Sequence, residues 1–144
     1  MNVESILKAK GHKVETIAPR TGIAIAVHKL GTMGIGALVV STDGERVEGI
    51  LAEREIVRGL VRHGSRLMDM SVSDVMSKDV PTCSPQDRVQ DAMAVMTRSR
   101  NRHLPVVADG RLCGLISVGD VVKNRLEEME LEASVRRDAY IAGR

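Results

Sequence analysis

The segment with the clearest capacity for binding chemistry is Gly114-Leu115-Ile116-Ser117-Val118-Gly119-Asp120. It predicts a strand that ends at a hydroxyl, with a carboxylate three residues later at the start of a helix. A helix N-terminus offers free N–H groups and the positive end of the helix dipole, which suit a phosphate. Ser117 can cap that terminus or contact a ligand, and Asp120 can accept hydrogen bonds from a cis-diol such as ribose. The same two residues also fit a capping box that needs no ligand.

Residues suited to catalysis or metal binding are few. The histidines and cysteines are His12, His28, His63, His103, Cys83 and Cys113. The histidines lack metal-ligand spacing and the cysteines lack a Cys-x-x-Cys pair, so we expect neither a zinc site nor a disulfide framework. The cysteines are interpreted as small buried hydrophobic residues in a reducing cytoplasm. No nucleophile lies beside a base in the sequence, so we predict no catalytic residue and no metal ligand.

The composition excludes several classes of protein. Among 144 residues the aromatic fraction is 1%, which excludes nucleic-acid sites that stack bases on aromatic rings. The 21 Lys and Arg face 19 Asp and Glu, and the densest basic run, which ends at Arg102 and His103, is too short to follow a phosphate backbone. No apolar run approaches the roughly 18 residues of a membrane span, and no secretory signal opens the chain. We expect a cytoplasmic globular protein that binds neither nucleic acid nor membrane.

The sequence contains two copies of one unit of about 60 residues. Val72-Ser73-Asp74-Val75-Met76 parallels Val3-Glu4-Ser5-Ile6-Leu7, and Thr82-Cys83-Ser84-Pro85 parallels Thr16-Ile17-Ala18-Pro19. Further along, Leu104-Pro105-Val106-Val107 parallels Ala37-Leu38-Val39-Val40, and Gly114-Leu115-Ile116 parallels Gly49-Ile50-Leu51. We name residues 1–64 repeat 1, residues 72–126 repeat 2 and residues 127–144 the tail.

Each repeat has the pattern of a β-α-β-β-α unit preceded by a short amphipathic helix. Helical spacing of apolar residues predicts the first helix of the unit in both repeats, at Ile23, Ala26, Val27 and Leu30, and at Val89, Ala92, Met93 and Met96. Asp87 is the expected N-cap of the second of these helices. Two strands around an Asp-Gly turn follow in each repeat. The predicted fold class is mixed α/β (α+β), with the two repeats packed sheet to sheet and a C-terminal helical extension.

The tail predicts one long helix or two, running to Gly143. Its acidic residues precede Arg136 and Arg137, which is typical of a solvated face with ion pairs. Alternatively, its apolar residues pack on a second subunit.

The tandem units resemble the cystathionine-β-synthase-type (CBS) domain pair, or Bateman module, of the stand-alone bacterial kind. The resemblance covers residues 3–126 and is closest in repeat 2, at Arg102-His103-Leu104-Pro105-Val106-Val107, at Asp109-Gly110 and at residues 114–120. It implies a site for an adenosine-containing ligand, with Asp120 on the ribose hydroxyls and Ser117 on ribose or phosphate. It also implies that adenine contacts backbone at Thr82, Cys83, Ser84, His103, Leu104 and Pro105, and that Arg102 and His103 reach phosphates.

Repeat 1 departs from this pattern. Ala52 replaces the hydroxyl residue, Glu55 replaces the aspartate, and Ile35-Gly36 stands in place of Arg102-His103. We therefore expect a weaker site there. Its candidate residues are Thr16, Ile17, Ala18, Gly36, Ala37, Arg54 and Glu55.

The resemblance implies a non-catalytic regulatory module that binds an adenosine nucleotide, with AMP as the first choice and ATP, NAD(H) or S-adenosylmethionine as alternatives. No cofactor is obligatory, and the expected partners are a second copy of the chain and a regulated protein in trans. The alternative function is that of a structural dimerisation or interaction module in which one or both ligand sites have decayed, and an enzyme is less favoured than either.

Overall fold

The computed structural model describes residues 1–142. In repeat 1 the elements are α1 (Val3–Lys10), β1 (Thr16–Ile17), α2 (Ile23–Met33), β2 (Ala37–Val40), β3 (Gly49–Ala52) and α3 (Glu53–His63). A 3-10 helix, Gly64–Asp69, leads into repeat 2, whose elements are α4 (Val72–Val75), α5 (Val89–Ser99), β4 (His103–Ala108), β5 (Arg111–Ser117) and α6 (Val118–Ala142). The predicted mixed α/β class with a C-terminal helix is confirmed.

The two sheets differ in their first strand. In repeat 1, β1 pairs in parallel with β2, and β2 pairs antiparallel with β3. In repeat 2, β4 and β5 pair antiparallel, while the first strand is reduced to a single parallel bridge between Cys83 and Val106. Asp109 and Gly110 both have positive φ, as a two-residue hairpin turn with the right-handed twist of the strands requires.

The strand register corrects one sequence alignment. Ala37 pairs with Ala52, and His103 pairs with Ser117, so Ala37 is the structural counterpart of His103. The alignment of residues 37–40 with residues 104–107 was therefore wrong by one position, because buried apolar strands look alike when shifted. The residues in place of Arg102-His103 are Gly36-Ala37, not Ile35-Gly36.

The predicted first helices of the two units are confirmed as α2 and α5. Both bury a stripe of apolar residues, although Met93 is substantially exposed. The Asp87 cap is wrong: the cap position of α5 is Arg88, and Asp87 instead accepts a hydrogen bond from the Ser84 N–H at 2.9 Å. Asp87 therefore holds the turn before α5 rather than the helix end.

The helices that open the two repeats are exchanged. Val3, Ile6 and Leu7 of α1 belong to the buried cluster of repeat 2, which includes Leu104 and Ile116. Val72 of α4 belongs to the buried cluster of repeat 1. Each small sheet is thus closed by a helix that the other repeat supplies.

Equivalent backbone hydrogen bonds anchor the two exchanged helices. The Val3 and Glu4 N–H groups donate to the carbonyls of Asp87 and Pro85, both at 2.9 Å. The Val72 and Ser73 N–H groups donate to the carbonyls of Thr21 and Pro19, at 2.8 and 2.9 Å. These bonds satisfy N–H groups at the start of each helix, which have no partner inside the helix.

Two glycines allow the exchanged segments, namely α1 and the residues that directly follow α4, to lie against the last strand of each sheet. A Cβ at Gly114 would lie 2.6 Å from Leu7 Cδ2, and a Cβ at Gly49 would lie 2.6 Å from the Ser77 carbonyl oxygen and 2.8 Å from Met76 Sδ. The glycine of the Gly114 motif therefore has a packing role before any role in ligand binding.

The tail continues α6 as one helix through Ala142, and Gly143 lies outside the described residues. Arg125 pairs with Glu128 and Arg136 with Glu132, at 3.3 and 3.8 Å, as expected for a solvated face. Exposed apolar side chains also occur along this helix, among them Leu131. The tail therefore has both the ion pairs and the uncovered apolar residues that the sequence suggested.

Substituting Gly49 by alanine should destabilise the protein by about 1–3 kcal/mol, because the new methyl group meets the backbone of the exchanged segment. Gly31→Ala is the matched control: a Cβ there meets nothing within 4 Å, and alanine in a helix is favoured over glycine by about 0.5–1 kcal/mol. Urea denaturation should therefore shift the two variants in opposite directions. An unchanged midpoint for Gly49→Ala would contradict the close approach.

Candidate functional site

A cavity of about 1060 Å³ lies where the N-terminal ends of α3 and α6 converge. Six of the predicted site residues line it: Gly36, Arg54, Glu55, Arg102, His103 and Ser117. The structure thus brings together candidate residues of both repeats in one space. The other candidates are not among the lining residues, namely Thr16, Ile17, Ala18, Ala37, Thr82, Cys83, Ser84, Leu104, Pro105 and Asp120.

The start of α6 forms the capping box that the sequence allowed. Ser117 Oγ accepts from the Asp120 N–H at 3.1 Å, and Asp120 Oδ2 accepts from the Ser117 N–H at 2.9 Å. The Val118 N–H donates to the Arg102 carbonyl at 2.9 Å. These bonds fix the helix end at the cavity, and they leave Asp120 Oδ1 without a protein donor within residues 1–142.

Asp120 has a further partner that the sequence did not suggest. Lys10 Nζ lies 2.7 Å from Asp120 Oδ2 and also donates to the Leu115 carbonyl at 2.9 Å. Burial alone would raise the pKa of the Asp120 carboxyl, but hydrogen bonds from Lys10 and Ser117 outweigh burial and hold that pKa below its ordinary value. Asp120 is therefore an ionised acceptor at neutral pH.

His103 closes the cavity where the two repeats meet. Its Nε2 would lie 3.4 Å from a Cβ at Gly36, so the imidazole occupies the space that a side chain there would fill. Burial lowers the pKa of His103, and the positive charge of Lys10 lowers it further. The ring is thus held in its neutral form at neutral pH, so it offers one N–H donor and one acceptor nitrogen.

Glu55 is held by its own surroundings. Its side chain is 3% exposed. Oε1 accepts from the Ala52 N–H at 3.0 Å, while Oε2 accepts from Arg54 Nε and from Ser77 Oγ, both at 3.1 Å. The carboxylate that replaces the aspartate in repeat 1 therefore has its acceptor capacity largely used within the protein.

Arg54 joins the two repeats across the cavity. Its guanidinium donates to the Arg100 carbonyl at 2.5 Å and to Asn101 Oδ1 at 2.6 Å. Arg100 has φ of 57°, and its counterpart in repeat 1 is Gly34 with φ of 63°. The link to Arg54 thus holds a turn in a conformation that glycine adopts more readily than arginine.

The segment around Cys83 lies in the sheet and core of repeat 2. The Cys83 N–H donates to the Pro105 carbonyl at 3.0 Å, and the Cys83 carbonyl accepts from the Val107 N–H at 2.8 Å. Burial raises the pKa of the Cys83 thiol to about 12, so the thiol stays protonated and unreactive near neutral pH. The backbone groups expected to contact adenine at this residue are already paired.

The walls of the cavity contain residues that sequence reasoning missed. Apolar side chains of α3 and α6, including Val57, Val122 and Leu126, face the space, and Lys123 lines it as well. The apolar spacing along the two helices was visible in the sequence, but nothing in it placed one helix opposite the other. Lys10 was missed because it is distant from Asp120 in sequence and meets it only through the exchange of α1.

Residues 1–142 contain no group of three or more His, Cys, Asp or Glu side chains that could hold a metal ion. Within the same part of the chain, no helix is both long and apolar enough to cross a membrane.

The model of the CBS domain family matches the sequence twice, at residues 5–62 and 72–127. The chain belongs to the CBS domain family. It is 36% identical over 122 residues to the mitochondrial CBS domain-containing protein CBSX3 of Arabidopsis thaliana, which covers 82% of this chain and 59% of that protein. The chain thus spans less than two thirds of the length of that relative.

Solved structures of CBS domain proteins share this fold. A CBS-domain containing protein from Agrobacterium tumefaciens matches with a TM-score of 0.83 and 40% identity, covering 87% of this chain and 99% of that one. CBSX2, solved in complex with AMP, matches with a TM-score of 0.73 at 20% identity, covering 89% of this chain and 98% of that chain. The CBS domain pair of MJ0100, solved with 5′-methylthioadenosine and S-adenosyl-L-methionine, matches with a TM-score of 0.74 at 20% identity, covering 85% of this chain and 98% of that chain.

The lowered pKa of His103 predicts a pH dependence of stability. Above the unfolded-state pKa of about 6.5, the imidazole is neutral in both the folded and the unfolded protein. As the pH falls below that value, the unfolded state takes up a proton more readily than the folded state, so the folded protein becomes less stable until the pH has passed the folded-state pKa. Replacing His103 with glutamine should therefore flatten the fall in melting temperature between about pH 7 and 5. His28→Gln, at an exposed position of α2, is the control and should retain the wild-type slope.

Proposed function

We propose that this CBS domain pair is a non-catalytic sensor that binds an adenosine-containing nucleotide in the cavity between α3 and α6. The observation that carries the proposal is the convergence of two helix N-termini on one cavity that Arg54 and Arg102 also line. The positive ends of the helix dipoles and the guanidinium groups suit phosphate oxygens, while the Val118 and Asp120 N–H groups are already paired within the protein. The complexes of CBSX2 with AMP and of MJ0100 with S-adenosyl-L-methionine support an adenosine ligand.

The shape and lining of the cavity fit a nucleotide with separate apolar and anionic parts. Val57, Val122 and Leu126 give an apolar surface for a base. Arg102 and the remaining N–H groups of Arg54, which also donates to Glu55, Arg100 and Asn101, can donate to phosphates. The volume of about 1060 Å³ is at the upper end of the range for small-molecule sites, so a dinucleotide such as NAD(H) also fits by size. We place AMP first because it is the ligand of the related CBSX2 complex, with ATP, NAD(H) and S-adenosylmethionine as alternatives.

The two repeats contribute unequally to this function. Asp120 keeps one oxygen without a protein donor within residues 1–142, whereas Glu55 is buried and bonded through both oxygens. We therefore assign the ribose contact to Asp120 of repeat 2, which does not itself line the cavity but directly follows Gly119, which does. In repeat 1 we assign phosphate binding to Arg54 and a structural role to Glu55.

The module acts through binding rather than catalysis. The thiol of Cys83 is buried and protonated, and His103, the histidine at the cavity, lies against Gly36. We infer that nucleotide occupancy is transmitted to a regulated protein in trans. Two free cysteines fit a reducing compartment such as the cytoplasm.

A second candidate role, dimerisation, is favoured by the exposed apolar faces. Val57, Leu60 and Val61 form a row on α3, with Val61 82% exposed, and Met129 on α6 is exposed as well. Contiguous uncovered apolar helix faces are typical of protein interfaces. We propose a two-fold homodimer whose contacts are helical.

Adenine nucleotides should stabilise the protein without being consumed. At a concentration of 100 times its dissociation constant, AMP should add about 2.7 kcal/mol of stability, which raises the melting temperature by several degrees. Thermal-shift assays with AMP, ATP, NAD, NADH and S-adenosylmethionine test this, with GMP as the matched control for the base. No shift with any adenosine ligand would refute the proposed function, and steady product formation would favour an enzyme.

Replacing Asp120 with alanine should weaken AMP binding by at least about tenfold, because a charged acceptor for ribose hydroxyls is lost. Glu55→Gln preserves the shape of the buried side chain and should change AMP affinity much less. Isothermal titration of the wild type and both variants measures the difference. Equal losses in the two variants would show that the repeats bind the ribose equally, contrary to the assignment above.

Light scattering should give a mass near twice 15.6 kDa for the wild type at micromolar concentration. Val61→Glu places a charge in the apolar row of α3 and should shift the protein toward monomer. Arg58→Glu places the same residue on the same helix outside that row and should leave the dimer intact. A monomeric wild type would refute the dimer.

A further inference from the structure

The guanidinium of Arg54 is held through three of its five N–H groups. Its Nε donates to Glu55 Oε2 at 3.1 Å, while the two terminal nitrogens donate to the Arg100 carbonyl at 2.5 Å and to Asn101 Oδ1 at 2.6 Å. The first acceptor is on the same helix, and the other two are in the turn between α5 and β4 of repeat 2. All of these residues line the cavity, so the contact between the repeats lies within the proposed site.

A guanidinium that is already immobilised binds an anion at a lower entropic cost than a mobile one. An arginine side chain has many rotamers, and fixing them on binding costs free energy. The planar fork of Arg54 is fixed in advance, and two of its N–H groups have no acceptor within residues 1–142. The side chain is 35% exposed, so a ligand can reach it. A phosphate in the cavity thus meets a charge that is already in place.

Asn101 supplies the side-chain acceptor of this contact, whereas Arg100 supplies a backbone carbonyl. Truncating Asn101 therefore removes one of the bonds that immobilise Arg54 and leaves the backbone acceptor in the turn. The guanidinium is then less firmly oriented, and ordering it becomes part of the cost of binding an anion.

We propose that Asn101 is a positioning residue of the nucleotide site, which orients Arg54 of the other repeat toward the ligand phosphate. This inference rests on the proposed function, which assigns phosphate binding to Arg54. It extends the phosphate contact of repeat 1 to a residue of repeat 2. The ligands that depend on Asn101 are those with a phosphate, since a nucleoside has no anionic group for Arg54 to bind.

The contact runs in one direction between the repeats. By the strand register, Arg54 corresponds to Gly119, and Asn101 corresponds to Ile35. Neither counterpart has a side chain that can donate or accept a hydrogen bond. The register therefore gives no equivalent pair on the other side of the cavity within residues 1–142, and the proposed phosphate position lies on the Arg54 side.

The test is isothermal titration of AMP and adenosine against the wild type, Asn101→Ala, Arg54→Met and the double variant. The wild type should bind AMP more tightly than adenosine, because only AMP carries the phosphate. Asn101→Ala should weaken AMP binding about threefold to tenfold, the effect of one hydrogen bond, and leave adenosine affinity unchanged. In the Arg54→Met background the same substitution should change AMP affinity by less than about twofold, because Asn101 then has no guanidinium to orient.

Thr97→Ala is the matched control. Thr97 is an exposed residue near the end of α5, its hydroxyl donates to the Met93 carbonyl at 2.9 Å, and it does not line the cavity. This variant should bind both ligands as the wild type does. Asn101→Gln keeps an amide acceptor on a longer side chain and should retain part of the AMP affinity that Asn101→Ala loses. Should Asn101→Ala fail to fold, Asn101→Gln in the wild-type and Arg54→Met backgrounds makes the same comparison.

An unchanged AMP affinity in Asn101→Ala, or equal losses for AMP and adenosine, would overturn the positioning role of Asn101. A loss that persists in the Arg54→Met background would also overturn it, since Asn101 would then contact the ligand itself. A wild type that binds AMP and adenosine equally would overturn the phosphate contact and leave adenosine binding standing. A wild type that binds no adenosine ligand would instead refute the proposed function and, with it, this inference.

Discussion

The exchange of the opening helices between the repeats is the contact on which the rest of the structure depends. A sheet of two or three short strands with two helices has too little apolar surface to form a stable core alone. Leu7 lies against Gly114 in one repeat, and Met76 lies against Gly49 in the other. Each repeat is thereby completed by the other, and the N-terminal ends of α3 and α6 are brought to one cavity.

The geometry of the site follows from this packing. The exchanged segments supply the partners of both acidic residues, Lys10 for Asp120 and Ser77 for Glu55. Asp120 caps α6 through Oδ2 and leaves Oδ1 without a protein donor within residues 1–142, so the capping box is compatible with the proposed ribose contact.

The sequence predicted the parts that depend on local order. Repetition, apolar spacing and the Asp109-Gly110 turn gave the two units and most of their helices correctly. The errors arose where contacts between residues far apart in the sequence determine the structure. A shift of one residue in β2 could not be detected because all four of its side chains are buried, so neither face carries a distinguishing polar residue.

For the candidate site, the sequence indicated which residues lie near helix and strand ends but not how they come together. The motif places Arg54, Arg102, His103 and Ser117 at strand and helix ends, and the structure brings them together in the lining of one cavity where the sequence had predicted a separate site in each repeat. Their role in binding stays a prediction. Cys83 instead lies in the core, where its backbone pairs with Pro105 and Val107. Sequence spacing identified which residues lie near a helix end, but only the packed structure showed which atoms remain available there.

The exchange of helices also has a consequence for how such a chain can be divided. If the polypeptide were cut within the 3-10 helix Gly64–Asp69, each fragment would keep the helix that belongs to the other fragment's core. The covalent connection makes that exchange intramolecular, with an effective concentration far above that of free fragments. The pair, rather than the single repeat, is therefore the smallest segment of this chain that holds each core together with the helix that closes it.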